Sequence, residues 1–202
     1  NYSRCGRTDK GVSALGQVVA LKLRSSIPLI LGAGRSFESY EEMDYADLMN
    51  RHLPSEIRIL GWCEVSDEFS ARFSATSRTY RYFFMRDNLD IEAMSIAAAK
   101  LCGAHDFRNM AKLDVVNVSN FVRRIISAKI VPFDSRSEGG MHMLEITGNA
   151  FLWHMVRSIM AILFLIGQKR EDVDVIDALL DIEACPGRPD YRMAPELPLV
   201  LH

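Results

Sequence analysis

A single carboxylate, Asp9, sits among three cations, Arg4, Arg7 and Lys10, in the opening stretch "NYSRCGRTDKGVSALGQ". Gly6 and Gly11 bracket it, so the segment reads as a tight loop rather than a helix. Neighbouring cations favour the anionic form of a carboxylate. An anion held on a tight loop suits a nucleophile or a general base; the competing reading is a charged surface turn. A phosphate-cradling loop is excluded, because Val12 and Ser13 follow the second glycine where that motif needs Lys and then Ser or Thr.

Arg157 is a second residue out of place. It lies in "NAFLWHMVRSIMAILFLIGQ", an apolar run close in length to a membrane span, but the presence of His154 and Arg157 favours a buried core helix. A buried guanidinium needs a partner. No acid stands within four residues of Arg157, so the partner must be remote, and Asp9 is the candidate. His154 reads as a packing or capping residue rather than a catalytic one. In "RFSATSRTYRYFF", Arg72, Arg78 and Arg81 are interleaved with aromatic residues. The plain reading is a strand with an aromatic core face. Guanidinium groups beside phenol rings also suit phosphate binding and base stacking.

Composition sets the limits. The chain has 202 residues, 49% hydrophobic and 25% charged, which suffices for a folded core in one large domain or two small ones. With a net charge of -2, any polyanion must be met by a local basic surface. Segment 1–24 is such a concentration: Arg4, Arg7, Lys10, Lys22 and Arg24 stand against Asp9 alone. Cys5, Cys63, Cys102 and Cys185 form no CxxC pair and the five histidines no HExxH, so a zinc site is not expected. The chain begins at Asn1, already in a loop, which suggests that an N-terminal part precedes it.

The elements that position these residues can be read from pattern. Strands are expected at Gln17–Leu23, Ile57–Val65, Arg78–Arg86, Phe121–Phe133, Met141–Gly148 and Leu197–Leu201. In the third, Tyr80, Tyr82 and Phe84 share one face. Helices are expected from an Asp44 cap to Arg51, from an Asp90 cap to Leu101, at Leu152–Gly167 and at Asp172–Ile182. Ile27–Glu42 reads as a loop, and "DSRSEGG" as the turn joining an antiparallel pair. Strands mixed with a few helices, without βαβ alternation, indicate an α+β fold.

Taken in order, "GRTDKGVSA", "RTYRYFF" and "NAFLWHMVRSI" resemble the catalytic loop, tyrosine strand and arginine helix of the tRNA pseudouridine synthase A (TruA) family. "GAHDFRNM" and "APELPLVL" extend the resemblance over nearly the whole chain. Many bacterial members carry Ala and His where this chain has Lys10 and Ser13; "RCGRTDKGVSALGQ" and "HDFRN" are more similar to the eukaryotic tRNA pseudouridine(38/39) synthase subgroup.

The resemblance implies two α/β subdomains, residues 1–73 (incomplete) and 74–202, around a continuous, mostly antiparallel sheet with a central RNA-binding cleft. It implies an isomerase that converts uridine to pseudouridine in the anticodon stem-loop. By resemblance, Asp9 is the essential nucleophile or base, Arg157 its ion-pair partner, and Tyr80 the ring stacked on the flipped base. Arg7 would fill the gap the base leaves; Arg4, Lys10, Arg78 and Arg81 would meet RNA. Leu199 or Leu197 would wall the pocket, "APELPLVL" lacking the family's glycine there. No cofactor and no metal are expected, nor a membrane; tRNA is the partner, the protein a homodimer, and the compartment cytoplasmic or nuclear. A non-catalytic tRNA-binding or folding protein on the same scaffold is the alternative, and a base glycosylase a third reading.

Overall fold

The computed structural model describes residues 2–27, 41–133 and 140–202. Its strands are β1 (Tyr2–Arg4), β2 (Ser13–Ala14), β3 (Val19–Leu21), β4 (Arg78–Met85), β5 (Gly103–Asp106), β6 (Val122–Pro132), β7 (Met141–Gly148) and β8 (Leu199–Leu201). The helices are α1 (Tyr45–Asn50), α2 (Ile91–Lys100), α3 (Met155–Gly167) and α4 (Val175–Leu180). Six strands form one sheet in the order β2-β8-β4-β7-β6-β5, antiparallel throughout except where β2 runs parallel to β8. β1 and β3 pair only with each other, so the described strands make two sheets and not the continuous sheet expected. The chain between them leaves this ladder to run along β8 instead.

The alternation of β4 decides where the core lies. Tyr82 and Phe84 are buried against Phe164 of α3, with ring centroids 6.1 and 5.6 Å away. Leu144 and Ile146 of β7 and Ile125 of β6 join the same layer, and α2 and α3 cover it. Arg81 and Phe83 point to the opposite face, where Arg81 pairs with Glu145 and Phe83 with Phe133. Strands with helices packed on one sheet face make this an α+β fold.

Both expected caps form: Asp44 Oδ1 accepts from Asp47 N at 3.0 Å, and Asp90 Oδ1 from Ala93 N at 3.1 Å. Helix α3 begins at Met155 and not at Leu152, because His154 has φ +60° and cannot continue a helix. Only Val19–Leu21 of the first expected strand and Leu199–Leu201 of the last are in a ladder. Ile57–Val65 is not a strand: no described strand runs beside it, and Ile57, Leu60, Trp62 and Val65 are exposed. Its one rung is a side chain, since Asn50 donates to Ile59 O at 2.9 Å and accepts from Ile59 N at 2.8 Å. β5, unforeseen from the sequence, pairs Gly103–Asp106 with Val122–Ile125. The β6–β7 ladder is antiparallel as expected; its turn, and most of the Ile27–Glu42 loop, lie outside the described residues. Among the described residues no helix is long and apolar enough to cross a membrane.

Candidate active site

The loop carrying Asp9 is fastened on both sides. Upstream, Cys5 N donates to Val18 O at 2.9 Å, and Cys5 O accepts from Arg78 Nε at 2.8 Å. The Gln17 amide clasps Gly6, accepting from its N–H at 3.0 Å and donating to its carbonyl at 3.1 Å. A Cβ on Gly6 would stand 2.7 Å from Leu201 Cδ2, so a side chain there would have to push the Leu201 methyl of β8 aside. Downstream, Val12 N donates to Asp9 O at 3.1 Å and closes a turn whose third residue, Gly11, has φ +86°. That is the geometry of a type II turn, in which glycine is strongly favoured. Leu15 N then bonds Leu201 O at 2.8 Å and ties the exit to the sheet edge.

The turn directs Asp9 at the N-terminal end of α3. Its Oδ2 lies 3.2 Å from His154 Nε2 and 3.7 Å from Arg157 Nη1. These partners are the N-cap and third residue of the helix, an end where the helix dipole favours negative charge. The Asp9, His154 and Arg157 side chains are 21%, 14% and 11% exposed, so the cluster is largely withdrawn from water. Arg157 has two closer acceptors: Nη2 donates to Glu196 Oε2 and Nε to Ala194 O, both at 2.9 Å. The remote acid expected for Arg157 is present, but Glu196, which the sequence reading missed, is the nearer one.

Glu196 is delivered by a strap over α3. Asn109, fully buried, donates through its side-chain amide to Leu179 O at 3.1 Å and Cys185 O at 2.7 Å, and its backbone carbonyl accepts from Tyr191 OH at 2.8 Å. Tyr82 OH donates to Pro195 O at 3.1 Å. Arg157 and Glu196 also line a cleft of about 1020 Å³ with Phe164, Arg170 and Arg192.

Tyr80 stands opposite Leu201 in the β4–β8 register, and its ring meets Phe151 edge-on at 5.1 Å. Burial raises the pKa of its phenol; Arg78 opposes that, and the charges of Asp9 and Cys5 add to it. The phenol therefore stays protonated at neutral pH within reach of Asp9's field. Burial likewise lowers the pKa of His154; Asp9 opposes this, while Arg157, Lys112 and Arg188 reinforce it.

The other expected site residues divide. Arg4, Arg7 and Lys10 are exposed and form no ion pair among the described residues. Arg78 spends its guanidinium on backbone carbonyls of Cys5, Arg72 and Asn149, and so braces the loop. Arg81 is held by Glu145 at 2.8 Å on the strand face opposite Tyr80, away from Asp9. Leu199 is buried opposite Tyr82, whereas Leu197 is 76% exposed. The leucine that touches the Asp9 loop is Leu201. Among the described residues no three His, Cys, Asp or Glu side chains gather as a metal site would need.

Asp9 on its anchored loop, the Arg157 guanidinium at its Oδ2 and the Tyr80 phenol of β4, whose titration senses the Asp9 charge, gather at one end of an α+β sheet. A family model described as tRNA pseudouridine synthase matches residues 97–202, and the chain belongs to that family. It is 51% identical over 220 residues to the tRNA pseudouridine(38/39) synthase of Homo sapiens, covering all of this chain and 45% of that protein. It is 45% identical over 203 residues to the protein of the same name from Saccharomyces cerevisiae, again covering all of this chain and 45% of the relative. The tRNA pseudouridine synthase A of Methanosphaerula palustris is 38% identical over 179 residues, 89% of this chain and 55% of that protein. The chain thus spans about half the length of these relatives.

Proposed function

We propose that the protein containing this chain isomerises uridine to pseudouridine in the tRNA anticodon stem-loop, at positions 38 and 39 as the names of its relatives indicate. The observation that carries this reading is the Asp9 carboxylate on its braced turn, with Oδ2 turned to His154 and Arg157. The nearest approach of each partner is to Oδ2, and among the described residues Oδ1 accepts no hydrogen bond, which leaves it for the substrate.

The reaction breaks the N1–C1′ bond, turns the base and forms a C5–C1′ bond. C5 loses its proton and N1 gains one, so nothing is oxidised and no group is imported. Asp9 acts as nucleophile, on the ring or at C1′, or as base. Arg157 holds the carboxylate oriented. Tyr80, kept protonated by burial, stacks on the base flipped from its stem and passes the late proton. The exposed Arg7 occupies the gap left by the base, while Arg4 and Lys10 meet phosphates. Leu201, more than Leu199 or Leu197, walls the pocket beside the loop. The RNA-binding cleft between subdomains divided near residue 73, the homodimer, and the cytoplasmic or nuclear compartment belong to the same reading.

The test is nucleotide-resolution pseudouridine mapping on tRNA incubated with the full-length protein or with Asp9→Ala. Pseudouridine with wild type, none with the variant and unchanged tRNA retention support the reading. Release of free uracil would identify a glycosylase instead. Pseudouridine formed by Asp9→Ala at the wild-type rate would overturn the role of Asp9.

A further inference from the structure

Of the three guanidinium nitrogens of Arg157, the strap takes two. Nε donates to Ala194 O and Nη2 to Glu196 Oε2, both at 2.9 Å. The third, Nη1, makes no hydrogen bond among the described residues and lies 3.7 Å from Asp9 Oδ2. A guanidinium is a rigid plane, so two bonded nitrogens set the direction of the remaining one. Glu196 therefore helps decide where Nη1 points.

The same side chain borders the turn that carries Asp9. A Cβ on Gly11 would stand 2.9 Å from Glu196 Cγ, so the stem of Glu196 fills the space a side chain at Gly11 would need. Gly11 is the residue with φ +86° that closes that turn.

The strap does not depend on this side chain for its course. Tyr82 OH donates to Pro195 O at 3.1 Å, Phe83 N to Pro198 O at 3.1 Å and Leu199 N to Glu196 O at 3.0 Å. These bonds bring residue 196 to the N-terminal end of α3 whatever its side chain is. The Glu196 side chain is 42% exposed, and solvent screening leaves such a pair little to add to stability. Anchoring the strap thus leaves the carboxylate unexplained.

We infer that Glu196 is a positioning residue for the Asp9 centre: with Ala194 O it grips two edges of the Arg157 fork and aims the third at Asp9, while its stem backs the Gly11 turn. It acts through Arg157 and not on the substrate. The inference deepens the proposed isomerisation and rests on that reading for its kinetic consequence alone.

Two substitutions isolate the acceptor. Glu196→Met keeps an unbranched stem over Gly11 and removes both oxygens. Glu196→Gln removes the charge and keeps a carbonyl oxygen for Nη2. In the full-length protein, Glu196→Met should slow single-turnover isomerisation by about tenfold or more, with tRNA affinity within about twofold of wild type. Glu196→Gln should stay within about fivefold of the wild-type rate, because the fork remains gripped. A methionine variant as fast as wild type, or a glutamine variant as slow as the methionine one, would overturn the inference.

A thermal double-variant cycle with Arg157→Met gives a readout independent of activity. Glu196→Met should lower the Tm of the wild-type protein by about 2–3 °C and that of Arg157→Met by less than about 1 °C. Equal shifts in the two backgrounds, zero included, would show that Glu196 does not hold the arginine. A fall beyond about 6 °C in the wild-type background would make it an anchor of the strap instead, which also overturns the inference. If wild type makes no pseudouridine, the functional reading fails, and the cycle still decides whether Glu196 holds Arg157.

Discussion

Replacing Arg157 with methionine keeps the length and volume of an unbranched side chain and removes every donor. Three contacts are lost: Ala194 O at 2.9 Å, Glu196 Oε2 at 2.9 Å and Asp9 Oδ2 at 3.7 Å. Breaking a fully buried ion pair costs about 3–5 kcal/mol. Here that figure is a ceiling, because Asp9 keeps His154 and Glu196, 42% exposed, turns to water at little cost. The Ala194 carbonyl loses a charge-assisted bond worth about 1.5–3 kcal/mol. Together the loss comes to about 2–4 kcal/mol, or a fall in Tm of about 4–16 °C for a chain of this size. Calorimetry of the full-length variant at neutral pH reads it directly. Adding Asp9→Asn to Arg157→Met should recover about 1 kcal/mol, since the carboxylate then no longer needs its partner. A variant melting within about 1 °C of wild type, or a double variant that adds both losses in full, would refute Arg157 as the centre of the network. Arg157→Lys should behave nearly as badly, because one ammonium cannot span three acceptors that a planar fork reaches.

Three further outcomes follow from the same contacts. Arg78→Met frees the carbonyls of Cys5, Arg72 and Asn149; pseudouridine formation should fall by about tenfold or more while tRNA binding weakens less, measurable as a kcat against KM split. Asn109→Ala leaves the carbonyls of Leu179 and Cys185 unpaired in the core, and should cost about 2–4 kcal/mol in denaturant unfolding while loosening the strap that delivers Glu196. Burial pushes the Tyr82 phenol up to about 12 from its ordinary 10, with Arg157 opposing and Glu196 adding. A raised folded-state pKa means full stability below pH 10 and progressive loss as pH climbs from 10 towards 12. Tyr82→Phe should flatten that alkaline decline in a pH series of melting curves.

Asp9 and Arg157 could be picked out from the sequence because each is odd in its local setting. Asp9 is one acid among cations, and Arg157 one charge in an apolar helix. Tyr80 shares the core face of β4 with Tyr82 and Phe84, and only the family resemblance singles it out among them. His154 was hidden for the opposite reason: a histidine after Trp153 in an apolar run looks like core, and its positive φ leaves no mark in residue type. Glu196 was hidden because its partner lies 39 residues away, across a strap whose course depends on the tertiary bonds of Asn109, Tyr82 and Tyr191. Arg78 illustrates a shared signal. Arginine beside tyrosine suggests phosphate, yet its donors close on three carbonyls of its own chain. Ile57–Val65 has a strand's composition without a neighbouring strand to complete it among the described residues.

The central claim is that the Asp9 carboxylate performs the chemistry and the surrounding contacts only hold it. Asp9→Asn preserves the size of the side chain and a possible contact to His154 while removing the charge. Single-turnover pseudouridine formation by the full-length Asp9→Asn protein, at saturating enzyme and with binding measured on the same tRNA, tests that claim most directly. The account predicts wild-type binding and no product; pseudouridine at a rate near wild type would contradict it.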